Sequence, residues 1–317
     1  MDNTIIVVNN EPYCIWEVDL KKRNKEFLDW IDVDYFDYFL KTHLSTNDEK
    51  RASVALKIAF HHSLETMFSL LGSYMQAPDC IYAWIAKCSN SDLRYIVQRI
   101  NKKDETLFSK LNIKGISWQS IAQHIFQFYL PATEKNKITT ELFAQLWQRL
   151  AHEFLDENHI DEYNSLKHGF RVKSGGFGLS IGIEHQYGVP PPDNEMQFIG
   201  HSDHGATFFK LETIGNEKGN RSLRSRQVSL NWKVEKVSLL IQLISMSIAN
   251  IVSALKIANG SNSATNKFVR PTEDDDFKKP WTYSPGVTVC SLDFVIDESK
   301  VIPTTRKELL DKLKEAG

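Results

Sequence analysis

Apolar residues recur along this chain at two spacings, and the switch between them sets the expected architecture. Ile5–Val8 and Tyr13–Val18 are short β-like runs parted by Asn9, Asn10, Glu11 and Pro12, which predicts a hairpin or edge strand. Thr46 to Glu49 has capping-box spacing. Behind it Val54, Ile58, His61, Leu64, Phe68 and Leu71 repeat at helical intervals and predict a long helix running to Gly72. The same period predicts helices at about 79–88, 91–101 and 117–128, the second opening with Ser89 to Asp92. From Thr139, the residues Leu142, Phe143, Leu146, Trp147, Leu150, Ala151, Phe154 and Leu155 form a stripe that must face a core. A shorter helix then carries Tyr163 to His168 and is expected to stop at Gly169, where glycine can take the left-handed cap.

After Gly169 the period changes to two. Phe177, Leu179, Ile181 and Ile183 alternate with small or polar residues, and Thr207–Ile214 is a second such run. Breaks come from Ser174, Gly175 and Gly176 and from Pro190, Pro191 and Pro192. The pattern predicts a small antiparallel sheet at about 170–215, inserted between helices. Gly215–Arg226 reads as a polar loop leading into a long helix at about 227–258. Residues 260–266 and 273–276 read as loop, 287–296 as a strand and 305–316 as a terminal helix. The expected class is α+β, predominantly α: a helical bundle with a small inserted antiparallel sheet. Two regions are expected, 1–130 and 131–317, or one continuous domain.

Composition narrows the class further. The hydrophobic and charged fractions, 42% and 25%, are those of ordinary globular proteins, which excludes a disordered or fibrous chain. With 38 basic and 40 acidic residues, any nucleic-acid partner requires a local patch. The four cysteines form no CxxC pair, so neither a zinc cluster nor a disulfide framework is indicated. The start Met1-Asp2-Asn3 carries an acid where a signal peptide has positive charge. Val237–Leu255 is uncharged and close to the roughly 20 residues that span a bilayer. Ser238, Gln242, Ser245 and Ser253 mark one polar side of it, so it is read as the central helix of a soluble, cytoplasmic bundle with no membrane partner.

Within this frame Asn164 and His168 stand at i, i+4 on one helix face. His168 lies at the helix C-terminus, where the dipole favours imidazolium, and Arg171 and Lys173 follow. A proton-donating histidine beside phosphate-holding cations is what RNA cleavage needs. The competing structural role is to cap the helix and tie it to the sheet. Lys167, Lys173, Lys218, Arg221, Arg224, Arg226, Lys233 and Lys236 supply the charge that could follow a phosphate backbone, against the plainer role of a solvated helix start. His185, His201, Asp203 and His204 form an alternative metal-binding set, although Gly200 and Gly205 suggest a polar turn. Gly178–Gly182 matches G-x-S-x-G but lies in an alternating strand, which excludes a nucleophile elbow. No phosphate loop is present. His61 and Glu65 are read as a hydrogen-bonded core pair.

The Tyr163–Gly169 segment, set between two long amphipathic helices, resembles the signature of the HEPN superfamily, helical bundles that include many RNA-cleaving toxins and defence proteins. That motif is an Arg, usually followed by Asn, His or Asp, then His after four to six intervening residues. Asn164 and His168 match, Tyr163 stands in the arginine position, and no other arginine has a histidine at that spacing. The resemblance covers about residues 139–258. It implies an RNA-interacting protein, a metal-independent ribonuclease or an inactive relative in a toxin or defence setting, with no cofactor, RNA as partner and a homodimer. In an active form His168 would be the general acid or base, Asn164 would orient it and Arg171 would stabilise the phosphorane charge. The rivals are a non-catalytic scaffold or oligomerisation protein, and a metal-dependent hydrolase built on His185, His201, Asp203 and His204.

Overall fold

The computed structural model describes residues 2–104, 115–129, 134–168, 171–217, 220–292, 298–302 and 304–315. The architecture is α+β and predominantly α, as the two periods predict. The chain divides into two compact units, Met1–Tyr163 with Val234–Tyr283, and Asn164–Lys233 with Ser284–Gly317. These limits differ from a boundary near 130. The reason is that the early helix α3 (Glu49–Gln76) packs along the much later α9 (Val234–Ala258) and touches α7 (Glu134–Leu155), so the bundle closes across the whole sequence.

The first unit opens with a hairpin of β1 (Asp2–Val8) and β2 (Glu11–Glu17), with Val8 opposite Glu11. The two-residue turn puts Asn9 at φ 58, a conformation asparagine tolerates. Helices α1 (Leu20–Trp30) and α2 (Tyr35–Leu44) follow, in a stretch for which periodicity gave no prediction. Then come α3, capped by Asp48, whose carboxylate accepts the Arg51 N–H, α4 (Ile81–Lys87), α5 (Asn90–Asn101) with its Ser89/Asp92 capping box, α6 (Trp118–Phe126), α7 and α8 (Glu157–Leu166). Gly72 does not end α3. A Cβ there would lie 2.4 Å from Cη2 of Trp84, so this glycine lets the α4 indole close onto α3. Trp84 is fixed in turn by donating to the Val7 carbonyl and to Gln76 Oε1, both at 3.1 Å.

Helix α9 is long and apolar enough to cross a membrane by length and composition, and 72% of its most apolar window is buried inside the protein. Leu240, Ile244, Ile248, Ile251 and Leu255 are buried, as are Leu56, Phe60, Leu64 and Phe68 of α3, which packs along α9, and Phe143, Trp147 and Leu150 of α7. Its polar side is also covered. Asn250 holds the backbone of Val269 through both its amide atoms, at 2.8 and 2.7 Å, and Ser253 donates to the Lys267 carbonyl. Trp147 Nε1 donates to Ser247 Oγ at 3.0 Å. The serine and asparagine positions therefore pin the returning segment and a neighbouring helix.

The second unit is built on a four-stranded antiparallel sheet in the order β3 (Val172–Ser174), β6 (Gly205–Glu217), β7 (Asn220–Asn231), β8 (Val289–Leu292). A separate two-stranded ribbon joins β4 (Gly178–Ile181) to β5 (Gln197–His201). The sheet runs beyond residue 215 because 220–231, expected as loop and helix start, is the partner of β6 from Gly205↔Asn231 to Ile214↔Ser222. One face packs Val172, Phe208, Val228 and Leu230 together. Asn231 ties the sheet to the ribbon base by bonding both backbone groups of Phe177 and the Val287 carbonyl. Helix α10 (Arg306–Glu315) is the last element.

Candidate functional site

Helix α8 begins where Asp156 Oδ1 accepts the N–H groups of Asn158 and His159, and it ends at Leu166, which is buried. Lys167 and His168 lie in the turn beyond it, so Asn164 and His168 do not share a helical face as their spacing predicts. Leu166 is the last buried residue before the turn. Both residues are exposed, and they form no hydrogen bond with each other. The orienting role expected of Asn164 therefore has no geometric basis. Gly169, the expected cap, lies outside the described residues.

Arg171 and Lys173 are exposed where β3 joins the sheet edge. Lys173 is level with Thr207, and Thr207 with Ser229. Arg171, Lys173, Thr207, Phe209 and Gln227 line an open depression of ≈ 590 Å³ on the solvent face. Phe209 is 69% exposed there, and Leu211 and Leu223 extend the same face. Neither Arg171 nor Lys173 has a carboxylate partner among the described residues.

Strand parity sends the other expected phosphate-binding cations elsewhere. Arg224 and Arg226 alternate onto the opposite face, with Val228 and Leu230. Glu212 accepts two hydrogen bonds from Arg224 and is 3.1 Å from Arg226 Nη1. The Arg224 hydrogen bonds and the two guanidinium charges hold the Glu212 carboxyl below the usual carboxylate range. Lys236, on α9, is committed to Glu153 at 2.8 Å. The basic run is thus not one track, because Arg224 and Arg226 belong to a strand and share the Glu212 carboxylate across it. The side chain of Arg221 and all of Lys218 lie outside the described residues.

The four metal-set residues do not converge. His185 bonds Glu195, His201 Nε2 stands 3.6 Å from Asp203 Oδ1, and the His204 N–H is bound to Ser202 Oγ. Among the described residues no three histidine, cysteine or carboxylate groups surround one point. The turn read from Gly200 and Gly205 explains this, since ribbon and sheet carry these side chains apart. Ser180 of the G-x-S-x-G match sits exposed in β4.

Tyr163, in the arginine position of the motif, belongs to a charged cluster in the bundle that sequence reasoning missed. Its hydroxyl donates to Glu65 Oε2 at 2.9 Å, and its ring stacks on His61 with centroids 5.2 Å apart. Burial, followed by the Glu65 charge, raises its pKa, so the hydroxyl stays a donor. His61 does not bond Glu65 as expected. Its Nε2 lies 2.9 Å from Oε2 of Glu162, an oxygen that also takes Lys57 Nζ at 3.3 Å. The reason is that α8 presents Glu162 and Tyr163 to a polar row of α3, Lys57, His61 and Glu65, one residue per turn. That break in the apolar stripe was the available signal.

Burial pushes the His61 imidazole down to about 4, outweighing the hydrogen bond it donates to Glu162. Burial alone would raise Glu162, but the Lys57 charge and the His61 hydrogen bond dominate and hold it down to about 2. At neutral pH the cluster is therefore an ammonium–carboxylate pair with a neutral imidazole bound to it. Beside it Glu153 accepts from Lys236, its carboxylate lies 3.2 Å from His159 Nδ1, and a small crevice of ≈ 10 Å³ is lined by His61, His159, Tyr163 and Arg94. A buried carboxylate oxygen shared by Lys57 and His61 across two helices suits a tie between helices better than proton transfer. No family model, curated protein or solved structure matches the chain.

Proposed function

We propose that this chain binds single-stranded RNA on the solvent face of its four-stranded sheet. The observation that carries the reading is the exposed Phe209 ring set beside Arg171 and Lys173, two cations with no carboxylate partner among the described residues. An exposed aromatic ring is a stacking platform for an unpaired base, and flanking cations take the neighbouring phosphates. Gln227 adds an amide that suits base hydrogen bonding, and the Thr207 and Ser229 hydroxyls, bonded to each other at 2.8 Å, keep one hydroxyl hydrogen and free lone pairs for a ribose. RNA is also the partner implied by the HEPN resemblance, although the contact moves from the Asn164/His168 pair to the sheet. The reading is of binding, not cleavage, because no described residue hydrogen-bonds His168 to orient its imidazole.

The experiment is fluorescence anisotropy with a short labelled single-stranded RNA, titrated with the parent chain and with Arg171→Ala/Lys173→Ala at several salt concentrations. Loss of two phosphate contacts should reduce the log–log salt slope by about 1.4 and weaken binding at low salt. Parent protein that leaves the RNA unbound at low salt, or a double variant with an unchanged slope, would sink the proposal.

A further inference from the structure

Helix α2 buries Phe36 and Leu40 and packs against α3 and α9, which leaves a row of rings on the adjoining side. Tyr35, Phe39 and His43 follow one another at four-residue intervals and so share that side. Their successive ring centroids are 6.3 and 4.3 Å apart. His62 of α3 extends the row, edge-on to Tyr35 at 6.4 Å. Tyr35 and His62 are exposed, whereas Phe39 and His43 are half-buried. Tyr38, three residues from Tyr35 and its neighbour on the helix surface, is 70% exposed and has no ring contact among the described residues. The rings form an aromatic ledge open to solvent.

Two acids at the start of the helix decide what the ledge can hold. Asp34 is the N-cap of α2, yet its side chain makes no capping bond. Asp32 Oδ1 accepts the Asp34 N–H at 3.0 Å, and the Tyr35 N–H bonds back to the Asp32 carbonyl, which keeps Asp32 next to the first ring. Neither carboxylate pairs with a cation among the described residues, whereas Asp29 just upstream is 3.2 Å from Lys256 Nζ. Asp34 stands four residues before Tyr38, so the charge and the exposed ring share one side. Lys41 acts on Asp37. Anions beside open ring faces repel a phosphate backbone or an anionic lipid surface and attract a cation. A guanidinium both lies flat on a ring and forks onto a carboxylate, whereas an ammonium is a compact, strongly hydrated point charge.

The geometry points to a docking ledge for an arginine of a basic peptide segment in a partner protein, its guanidinium stacked on the Tyr38 ring and bonded to the Asp34 carboxylate, with Tyr35 and Asp32 beside it. Each contact is exposed to water, so one arginine is held weakly and in a salt-sensitive way. A segment carrying several arginines gains affinity by offering them to the ledge at a high effective concentration. The ledge is built from α2 and α3 and shares no residue with the sheet depression, so it stands independently of RNA binding.

The test is fluorescence anisotropy of a labelled peptide of alternating arginine and glycine, and of its lysine counterpart, titrated with the full-length chain at low salt. The parent should bind the arginine peptide several-fold more tightly than the lysine peptide. Tyr35→Ala/Tyr38→Ala should weaken the arginine peptide by about threefold or more and narrow its advantage over lysine. Asp32→Asn/Asp34→Asn, which keeps the side-chain shapes, should weaken both peptides by about threefold. Asp275→Asn, at an exposed acid in the Asp274–Phe277 turn, should change neither. All three variants should keep the circular dichroism spectrum of the parent. A parent that leaves the arginine peptide unbound, or binds the two peptides equally, overturns the proposal. So does either double variant that binds like the parent, or Asp275→Asn weakening binding as much as the Asp32/Asp34 pair, which would mark a general attraction to acidic surface.

Discussion

Replacing Glu162 by glutamine keeps the shape and a hydrogen bond to His61 but removes the negative charge facing Lys57. Lys57 Nζ is 3.3 Å from Glu162 Oε2, and both side chains are nearly or wholly buried. At an effective dielectric near 20 that pair is worth roughly 5 kcal/mol in Coulomb attraction. In Glu162→Gln the ammonium stays desolvated and faces a neutral amide, the circumstance in which breaking a buried pair costs about 3–5 kcal/mol. The lower end is expected, because Glu162 Oε1 is buried without a partner and the carboxylate is already under-compensated. Lys57→Met/Glu162→Gln removes the buried ammonium as well, so it should be more stable than Glu162→Gln by about 2 kcal/mol. The assay is urea unfolding followed by tryptophan fluorescence, which reports the bundle through the buried Trp84 and Trp147. A Glu162→Gln variant within 1 kcal/mol of the parent, or a double variant no better than the single one, would refute the reasoning.

The same cluster fixes a pH dependence. His61 is lowered in the fold from 6.5 to about 4, so between those values the unfolded chain takes up a proton that the folded chain refuses. Stability should fall by about 1.4 kcal/mol per pH unit from pH 6.5 down to 4, roughly 3 kcal/mol in all, and His61→Gln should flatten that slope in urea titrations. The Glu162 contribution is present above 4.5 and is lost as pH falls from there towards 2, giving a separate acid limb that Glu162→Gln removes. Gly72→Ala should lower the melting temperature despite the gain of about 1 kcal/mol in helix propensity, because the new methyl meets a Trp84 ring held by two hydrogen bonds; a higher melting temperature would contradict this. Phe209→Ala should weaken single-stranded RNA binding by about 1–3 kcal/mol without changing the salt slope, whereas Arg224→Ala should leave RNA affinity unchanged and lower stability. Anisotropy and urea unfolding on the same preparations separate the two effects.

How much of this was legible depended on whether each element announces its partner locally. Helices α3, α5, α7 and α9 bury continuous stripes and read directly from the 3.6 period. Helix α1 buries only Asn24 and Leu28, and α2 only Phe36 and Leu40, too few positions for a period to emerge. Strand β7 was hidden for another reason. Its Arg224 and Arg226 share the Glu212 carboxylate across the ladder, so a stretch that looks like a solvated loop in sequence is a paired strand in space. Glu162 escaped notice because its partners stand a hundred residues away on α3, while the conspicuous Asn164/His168 spacing next to it straddles a helix end.

Strand parity also explains which cations are left for a ligand. Phe208, Val228 and Leu230 must lie on the inner face of the sheet, and this fixes the alternation of β7. Arg224 and Arg226 fall on that same face, where the adjoining apolar cluster makes an uncompensated guanidinium costly, and both draw on the Glu212 carboxylate of the neighbouring strand. Lys173 falls on the opposite parity, and with Arg171 it lines the open depression. There water can solvate a cation, so folding imposes no carboxylate partner. The two groups of basic residues look alike in sequence, but only the second keeps its charge available, and it does so beside the exposed Phe209 ring. A register shift of one residue would exchange the two faces, burying Phe209 and exposing Phe208. The core packing that fixes the fold therefore also selects the face on which RNA binding is proposed.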